Sequence, residues 1–182
     1  EHIHLPVQSG STPILRAMRR TYTREEYLEK ISWLRGAGKE FSLTTDVIVG
    51  FPGETDADFE ETITLLDAVG FDGVFSFMYS PRPNTSASSL AAAVSEDTKK
   101  RRLAILQERQ RQIQLGRNET LIGREFEVLV DSHHAARGQW AGRTTSNRVV
   151  NFISERENLL GEFVSVRVMR AGPNSLVGEE LS

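Results

Sequence analysis

The sequence predicts an α/β region, then a basic helix, then a small all-β barrel. The alternation of strand-like and helix-like patterns in residues 1–85 is typical of a parallel sheet with right-handed crossovers. Apolar residues recur at helical spacing through residues 95–118. From Gly123 onward, short alternating strands separated by turn residues indicate a closed barrel of the OB type. We therefore expect parts at residues 1–94, 95–120 and 121–182.

Composition narrows the class of protein. The chain has 182 residues, of which 38% are hydrophobic, enough to bury a real core. It lacks the apolar run of about 18 residues that a membrane span needs, and it shows no signal peptide. Cysteine is absent, which excludes disulfides, thiolate metal sites and cysteine nucleophiles within these residues. These features fit a cytoplasmic protein, and the start at Glu1 inside a strand predicts a fragment of a longer one.

Charge is unevenly distributed along the chain. Residues 1–94 carry 8 basic and 13 acidic side chains, whereas residues 95–118 carry 7 basic and 3 acidic ones. A basic segment inside an acidic chain is a candidate contact for a polyanion. The alternative is a solvated helix face with no partner.

The stretch Thr45–Thr55 organises the first part of the chain. The apolar, β-branched run 47–49 predicts a parallel strand that is covered on both faces. Gly50 and Gly53 then permit a sharp turn or a close approach of the backbone to a ligand, and Thr55 is a good helix N-cap. Ligands of α/β folds bind at the carboxyl ends of strands, where this turn lies. The alternative is an ordinary strand–turn–helix unit without a ligand.

Other local signals fix the remaining elements of the α/β region. A short strand near residues 2–7 precedes a helix that we expect Ser11 to cap. The segment Thr23–Glu26 is a capping box that opens the next helix. Residues 73–79 form the third strand. Three strands are too few for a barrel or a doubly wound sheet, which again predicts a truncated N-terminal side.

The second half of the chain begins with a helix that Ser95 caps and that extends to about Asn118. Its inner stripe comprises Leu103, Leu106, Gln110 and Ile113. The predicted barrel strands are residues 124–131, 139–145, 148–152, 162–169 and 175–180. Turn residues separate them, including a turn at His133–Gly138.

Six motifs occur together and in order along nearly the whole chain. They are His4–Ser11, Ala17–Arg20, Tyr22–Glu25, Thr45–Thr55, Tyr79–Pro83 and Gly142–Phe152. With them the chain resembles the C-terminal part of the radical-SAM methylthiotransferases of the MiaB type. The resemblance implies the C-terminal half of a radical-SAM partial (β/α) barrel at residues 1–94, a basic connecting helix at 95–120 and an OB-like TRAM domain at 121–182.

The resemblance also implies an activity. Enzymes of this type add a methylthio group to carbon 2 of N6-isopentenyladenosine next to the tRNA anticodon. They use S-adenosyl-L-methionine and two 4Fe–4S clusters, whose cysteine ligands lie outside this chain, so we expect the chain alone to be inactive. Two alternatives remain, a methylthiotransferase that acts on a ribosomal protein and a non-catalytic RNA-binding module.

Candidate cofactor-binding residues follow from the same resemblance. They are Gln8, Ser9, Asp46, Gly50, Gly53 and Glu54. Amide and hydroxyl groups suit a ribose and a carboxylate, and the glycines let main-chain groups approach the ligand. The alternatives are capping of the first helix by the first two residues, a structural partner for Asp46, and a helix-start anion in Glu54. We expect no catalytic residue and no metal ligand within this chain.

Candidate RNA-binding residues for a tRNA anticodon stem-loop lie in a loop and on the barrel. They are Arg82, Arg143, Thr144, Asn147 and Arg148. Arginine binds phosphate bidentately or stacks on an unpaired base. Arg82 stands between two prolines, and this basic loop favours tRNA over a ribosomal protein as substrate. Trp140 and Phe152 either offer stacking surface or fill the barrel core.

Overall fold

The computed structural model of the protein describes residues 1–81 and 93–181. The chain forms two compact units, one of residues 3–110 and the other mainly of the residues from Arg111 onward. The boundary falls within helix α4, which spans Glu96–Glu119. The first unit carries a parallel sheet, and the second carries a closed barrel. This order of a parallel α/β region and a five-stranded barrel confirms the predicted fold class.

The sheet of the first unit has three strands in the order β1 (His2–His4), β2 (Ser42–Val49) and β3 (Gly73–Met78). Strands β2 and β3 are parallel, and Val49 lies opposite Met78 at the end of the ladder. The segment after β1 continues beside β2 as far as Gln8, whose N–H donates to the carbonyl of Asp46 at 2.9 Å. The carboxyl ends of all three chain segments therefore lie at one edge of the sheet.

Helices cover one face of this sheet. They are α1 (Thr12–Ala17), α2 (Arg24–Gly36) and α3 (Asp56–Val69). Val47 and Val49 are fully buried together with Leu65 and Leu66 of α3, because alternate residues of β2 point to the same face. Burying four such side chains provides about 6–12 kcal/mol of hydrophobic stabilisation before conformational entropy is subtracted.

Three of the four predicted side-chain caps are confirmed, including that of Ser95, whose hydroxyl accepts from the Thr98 N–H at 3.2 Å at the start of α4. Thr23 forms a full capping box at the start of α2, and Thr55 forms one with Asp58 at the start of α3. Ser11 makes no side-chain cap to α1. Its hydroxyl donates to Asp58 Oδ1 at 2.6 Å, a charge-assisted hydrogen bond that ties the start of α1 to the first turn of α3.

The Asp58 carboxylate titrates below its ordinary range. Partial burial acts to raise its pKa, but hydrogen bonds from Ser11 and Thr55 favour the charged form and outweigh burial, so the pKa is lowered. The negative charge also lies in the first turn of α3, where the helix dipole favours it. The ionised form of Asp58 therefore stabilises the native state.

The barrel of the second unit is closed in the order β4–β5–β6–β8–β7. Its strands are β4 (Glu125–His134), β5 (Gln139–Thr144), β6 (Val149–Ile153), β7 (Phe163–Ala171) and β8 (Leu176–Glu180). All neighbours are antiparallel except β6 and β8. Closure leaves no long exposed edge on which another chain could pair.

Inward-facing residues of the five strands fill the barrel. Val128, Val130, Phe152, Val166 and Leu176 are almost fully buried, in line with the predicted alternation. The predicted turn at His133–Gly138 begins too early, because β4 continues past an irregularity near residue 131 and pairs as far as His134 opposite Gln139. A single 3-10 turn at Ala135–Arg137 then reverses the chain.

Candidate functional site

The carboxyl edge of the three-stranded sheet brings several predicted cofactor residues together. Gln8 lies there with a positive φ of 73°, a conformation that costs a non-glycine residue roughly 1–2 kcal/mol. Its backbone is fixed from both sides, because its N–H donates to Asp46 and its carbonyl accepts from Ile48. Strain of this kind concentrates at functional sites. It therefore supports a role for this position beyond helix capping.

Ser9 is fully buried and has structural partners. Its hydroxyl oxygen accepts from the Ser11 N–H at 3.2 Å and lies 3.5 Å from the Thr62 hydroxyl of α3. The Thr62 hydroxyl also accepts from the Gly10 N–H at 2.9 Å. These bonds hold the turn after β1 against α3.

Asp46 lies on the sheet face that the helices leave uncovered. It stands opposite Phe75 in the β2–β3 ladder, and the Phe75 side chain is 56% exposed. The His4 imidazole lies beside the carboxylate, with Nε2 3.5 Å from Asp46 Oδ1. His4 itself is oriented by Thr44, whose hydroxyl lies 2.9 Å from Nδ1. Asp46 therefore presents a partly exposed carboxylate on this face.

The turn after β2 closes on itself through Glu54. The Gly50 N–H donates to Glu54 Oε2 at 2.7 Å, and the Glu54 N–H donates to the Phe51 carbonyl at 2.9 Å. Gly50 and Gly53 have φ values of 72° and 86°, so the turn needs residues without a Cβ. A Cβ on Gly53 would meet no atom within 4 Å. The Gly53 backbone is therefore open to an approaching group.

Two cations of α4 hold this turn. Arg102 donates to the Glu54 carbonyl at 3.1 Å, to Glu54 Oε2 at 2.7 Å and to Asp56 Oδ1 at 2.8 Å. The side chains of Arg102 and Glu54 are only 5% and 1% exposed. Burial raises the pKa of Glu54, while the Gly50 N–H and the Arg102 guanidinium act in the opposite direction.

Lys99 completes the contacts between α4 and the strand ends. Its Nζ donates to the Tyr79 carbonyl at 3.2 Å and to Glu96 Oε1 at 2.8 Å. Its side chain is 7% exposed. The interpretation of the basic helix as a polyanion contact is therefore wrong for Lys99 and Arg102, whose charges face the protein interior.

Sequence reasoning missed these two residues as part of the site, although a signal for them existed. The predicted inner stripe of α4 contains Leu103, Leu106 and Gln110. Extending the stripe toward the N-terminus by one helical turn reaches Lys99 and Arg102. A basic residue on the buried stripe of a helix requires an acceptor from elsewhere in the fold.

Four predicted RNA-binding residues lie at the end of β5 and in the turn that leads to β6. Arg143 Nη1 donates to Asn147 Oδ1 at 3.0 Å, and Arg143 Nε lies 3.3 Å from Asp131. Thr144 is buried, and its hydroxyl accepts from the Arg148 N–H at 3.1 Å. Arg148 also donates to Asn118. Arg143 and Asn147 are thus the exposed members of the group.

Of the three remaining candidates for RNA contact, the structure supports neither Trp140 nor Phe152. The third, Arg82, lies outside the residues that the structure describes. Phe152 is fully buried and Trp140 is 6% exposed, so both are core residues. The His133 ring stacks on Trp140 at 4.0 Å between centroids and covers it. Neither aromatic ring is therefore free to stack on a base in this conformation.

Comparison with known families decides what the two units are. The radical SAM superfamily matches residues 1–66, and the TRAM domain matches residues 119–181. The chain carries a radical SAM segment and a TRAM domain. The predicted combination of a partial radical-SAM barrel with an OB-like TRAM barrel is thereby confirmed.

Three relatives of the chain share the name tRNA-2-methylthio-N(6)-dimethylallyladenosine synthase. The relative from Solibacter usitatus (strain Ellin6076) is 58% identical, over 98% of this chain and 41% of its own length. Those from Koribacter versatilis (strain Ellin345) and Hahella chejuensis (strain KCTC 2396) are 53% and 49% identical, over 98% and 99% of this chain. Each alignment again covers 41% of the relative. These relatives confirm the resemblance that the motifs indicate.

The radical SAM superfamily that residues 1–66 match is one of S-adenosylmethionine and iron–sulfur chemistry. The chain has no cysteine, so its residues offer no thiolate to a cluster. Within residues 1–81 and 93–181, no three His, Asp or Glu side chains are grouped so that they could hold a metal ion. The open backbone at Gly53 and the partly exposed carboxylate of Asp46 do fit a small zwitterionic ligand with a polar ribose.

Over the same described ranges, no helix has the length and apolar character to cross a bilayer.

Proposed function

We propose that this chain is the C-terminal part of a tRNA-modifying enzyme. The enzyme adds a methylthio group to carbon 2 of N6-isopentenyladenosine next to the tRNA anticodon. The observation that carries the proposal is a radical SAM segment and a TRAM domain in one chain that is 47–58% identical to synthases named for this modified nucleoside. The chain spans about 41% of the length of those relatives, and the activity belongs to the whole protein.

In this proposal the carboxyl edge of the sheet binds S-adenosyl-L-methionine. The binding residues are Gln8, Ser9, Asp46, Gly50, Gly53 and Glu54. Two 4Fe–4S clusters supply the radical and the sulfur chemistry, with ligands outside this chain. The strained backbone of Gln8 and the open backbone of Gly53 support this placement, whereas the hydroxyl of Ser9 and the carboxylate of Glu54 act chiefly by shaping the turns.

The barrel and Arg82 bind the anticodon stem-loop of the tRNA. On the barrel the contact uses Arg143, Thr144, Asn147 and Arg148. The exposed pair of Arg143 and Asn147 supports a direct contact, since an Arg held by a neighbouring amide keeps N–H groups for a phosphate. Thr144 and Arg148 stabilise the turn through the hydrogen bond from the Arg148 N–H to the Thr144 hydroxyl. The enzyme acts in the cytoplasm, where its tRNA substrate is found.

The proposal is tested by mass spectrometry of tRNA nucleosides from cells with and without the gene that encodes this chain. We expect the methylthio nucleoside to disappear and the isopentenyladenosine precursor to accumulate in the deleted strain. Reintroducing the gene serves as the control and should restore the methylthio nucleoside. An unchanged nucleoside profile would refute the tRNA proposal and would direct the search to ribosomal proteins.

A further inference from the structure

The turn between Gly50 and Glu54 is held by a buried ion pair from a distant part of the chain. Arg102 of α4 makes two hydrogen bonds to Glu54 and one to Asp56. Glu54 Oε2 also accepts from the Gly50 N–H. A single guanidinium thus fixes the end of the turn, the start of α3 and, through the shared carboxylate, the Gly50 amide.

Lys99 packs against Gly50 at the other end of the same turn. A Cβ on Gly50 would lie 2.3 Å from Lys99 Cγ, so the aliphatic stem of the lysine already lies against the Gly50 backbone. The Lys99 ammonium also lies 5.6 Å from the centroid of the Tyr79 ring, which in turn meets Phe51 edge-on at 5.1 Å. The first two turns of α4 therefore contact both Gly50 and Glu54, the first and last residues of the turn.

The buried ion pair of Arg102 and Glu54 is not explained by a contribution to stability alone. The cost of removing two charges from water frequently exceeds their mutual attraction, and apolar pairs of similar volume do as well or better. Among the described residues, Glu54 Oε1 and Arg102 Nε are buried without a hydrogen-bond partner. These unsatisfied atoms further reduce the net stabilisation that the ion pair provides. The hydrogen bonds of Arg102 are better explained by the conformation that they impose on the turn.

We propose that Arg102 is a positioning residue for the S-adenosylmethionine site, with Lys99 as its support. The Arg102 side chain is only 5% exposed, and in this proposal it acts on the ligand through the turn. It holds the Gly50–Glu54 turn in the conformation that presents the Gly53 backbone to the ligand. The inference rests on the proposed placement of the cofactor at this edge of the sheet.

The first test uses the 182-residue chain and requires no cofactor. Arg102→Met keeps the length of the stem and removes all three hydrogen bonds. We expect the Gly50 amide to exchange its hydrogen roughly tenfold faster or more, because its acceptor loses its anchor. Arg102→Lys keeps the charge but lacks the planar guanidinium. We expect its Gly50 exchange rate to lie between those of the unaltered chain and of Arg102→Met. Arg109→Met is the matched control, since Arg109 pairs with Asp67 elsewhere on α3.

The second test measures S-adenosylmethionine binding to the full-length enzyme by equilibrium dialysis. We expect Arg102→Met to raise Kd by roughly tenfold or more, because small misplacements of a binding group are costly. Leu106→Val, a buried change on the same helix, is the control for loss of stability. At a temperature where both variants are folded, it should lower Tm but leave Kd unchanged.

The outcomes separate the two proposals. If the unaltered enzyme fails to bind S-adenosylmethionine, the proposed function fails. If it binds and Arg102→Met binds equally well, the positioning role of Arg102 is refuted. If Leu106→Val weakens binding as much as Arg102→Met at equal loss of Tm, the role of Arg102 is only structural and the inference is again refuted. Should Arg102→Met not fold, Arg102→Lys carries the same comparison.

Discussion

Gly50 and Gly53 offer a matched pair of substitutions within one turn. Both have a positive φ, 72° and 86° respectively, so an alanine at either position bears the same conformational cost of roughly 1–2 kcal/mol. They differ in the space around them. The new Cβ would lie 2.3 Å from Lys99 Cγ at Gly50 and would have no neighbour within 4 Å at Gly53.

Steric overlap therefore adds to the cost only at Gly50. Forcing an extra methyl group into a packed site costs about 1–3 kcal/mol. We expect Gly53→Ala to lower the free energy of unfolding by about 1–2 kcal/mol and Gly50→Ala by about 2–5 kcal/mol, the sum of the two effects. Moving the Lys99 side chain away from the new methyl group would disrupt its bonds to Tyr79 and Glu96.

Urea denaturation of the 182-residue chain, followed by the helical circular dichroism signal, measures both values. Lys99→Ala provides the internal check, since it removes the Cγ that the new methyl group meets. In that background we expect Gly50→Ala to cost about as much as Gly53→Ala. Equal costs for the two alanines in the unaltered chain would refute the packing of Lys99 on Gly50.

Two further predictions concern the caps and the barrel. The pKa of Asp58 is lowered in the folded state, so its stabilisation is present above the unfolded pKa and is lost as pH falls through the folded pKa. Asp58→Asn should accordingly flatten the loss of stability in acid, as measured by urea midpoints between neutral and acidic pH, and an unchanged slope would contradict this. On the barrel, combining Arg143→Ala with Arg148→Ala should weaken binding of the full-length enzyme to an anticodon stem-loop by roughly tenfold or more and reduce the salt slope by roughly 1–2 units. Removing the same charge through Arg156→Ala with Arg170→Ala is the control, and equal effects of the two pairs in a filter-binding titration would place the RNA elsewhere.

The elements of the barrel follow from local patterns in the sequence. Val128 and Val130 occupy alternate positions of the strand, and the structure buries both, whereas the intervening Leu129 is 41% exposed. The end of β4 was harder to predict, because its last three residues join the ladder through pairing with β5. Such pairing depends on a partner strand and leaves no mark in the segment itself.

The predicted site shows the same contrast. Gly50 and Gly53 predict the turn from the sequence because both adopt a positive φ, which favours glycine and is a property of the local backbone. The partner of Glu54 is 48 residues away, and no spacing rule connects the two. From the sequence alone, the charge of Arg102 faces either a polyanion or solvent, whereas the fold pairs it internally with Glu54.

The sequence by itself determined the helix caps of α2 and α3, the turn after β2, the alternation of the barrel strands and the order of the two domains. Each depends on contacts within a few residues or on a periodic pattern, which neighbouring positions encode directly. Only the tertiary structure decided that Ser11 bonds to Asp58, that Trp140 and Phe152 are core residues, and that Lys99 and Arg102 are buried. These depend on which groups the fold brings together and removes from water, because a polar group without water must bind whatever partner the packing supplies.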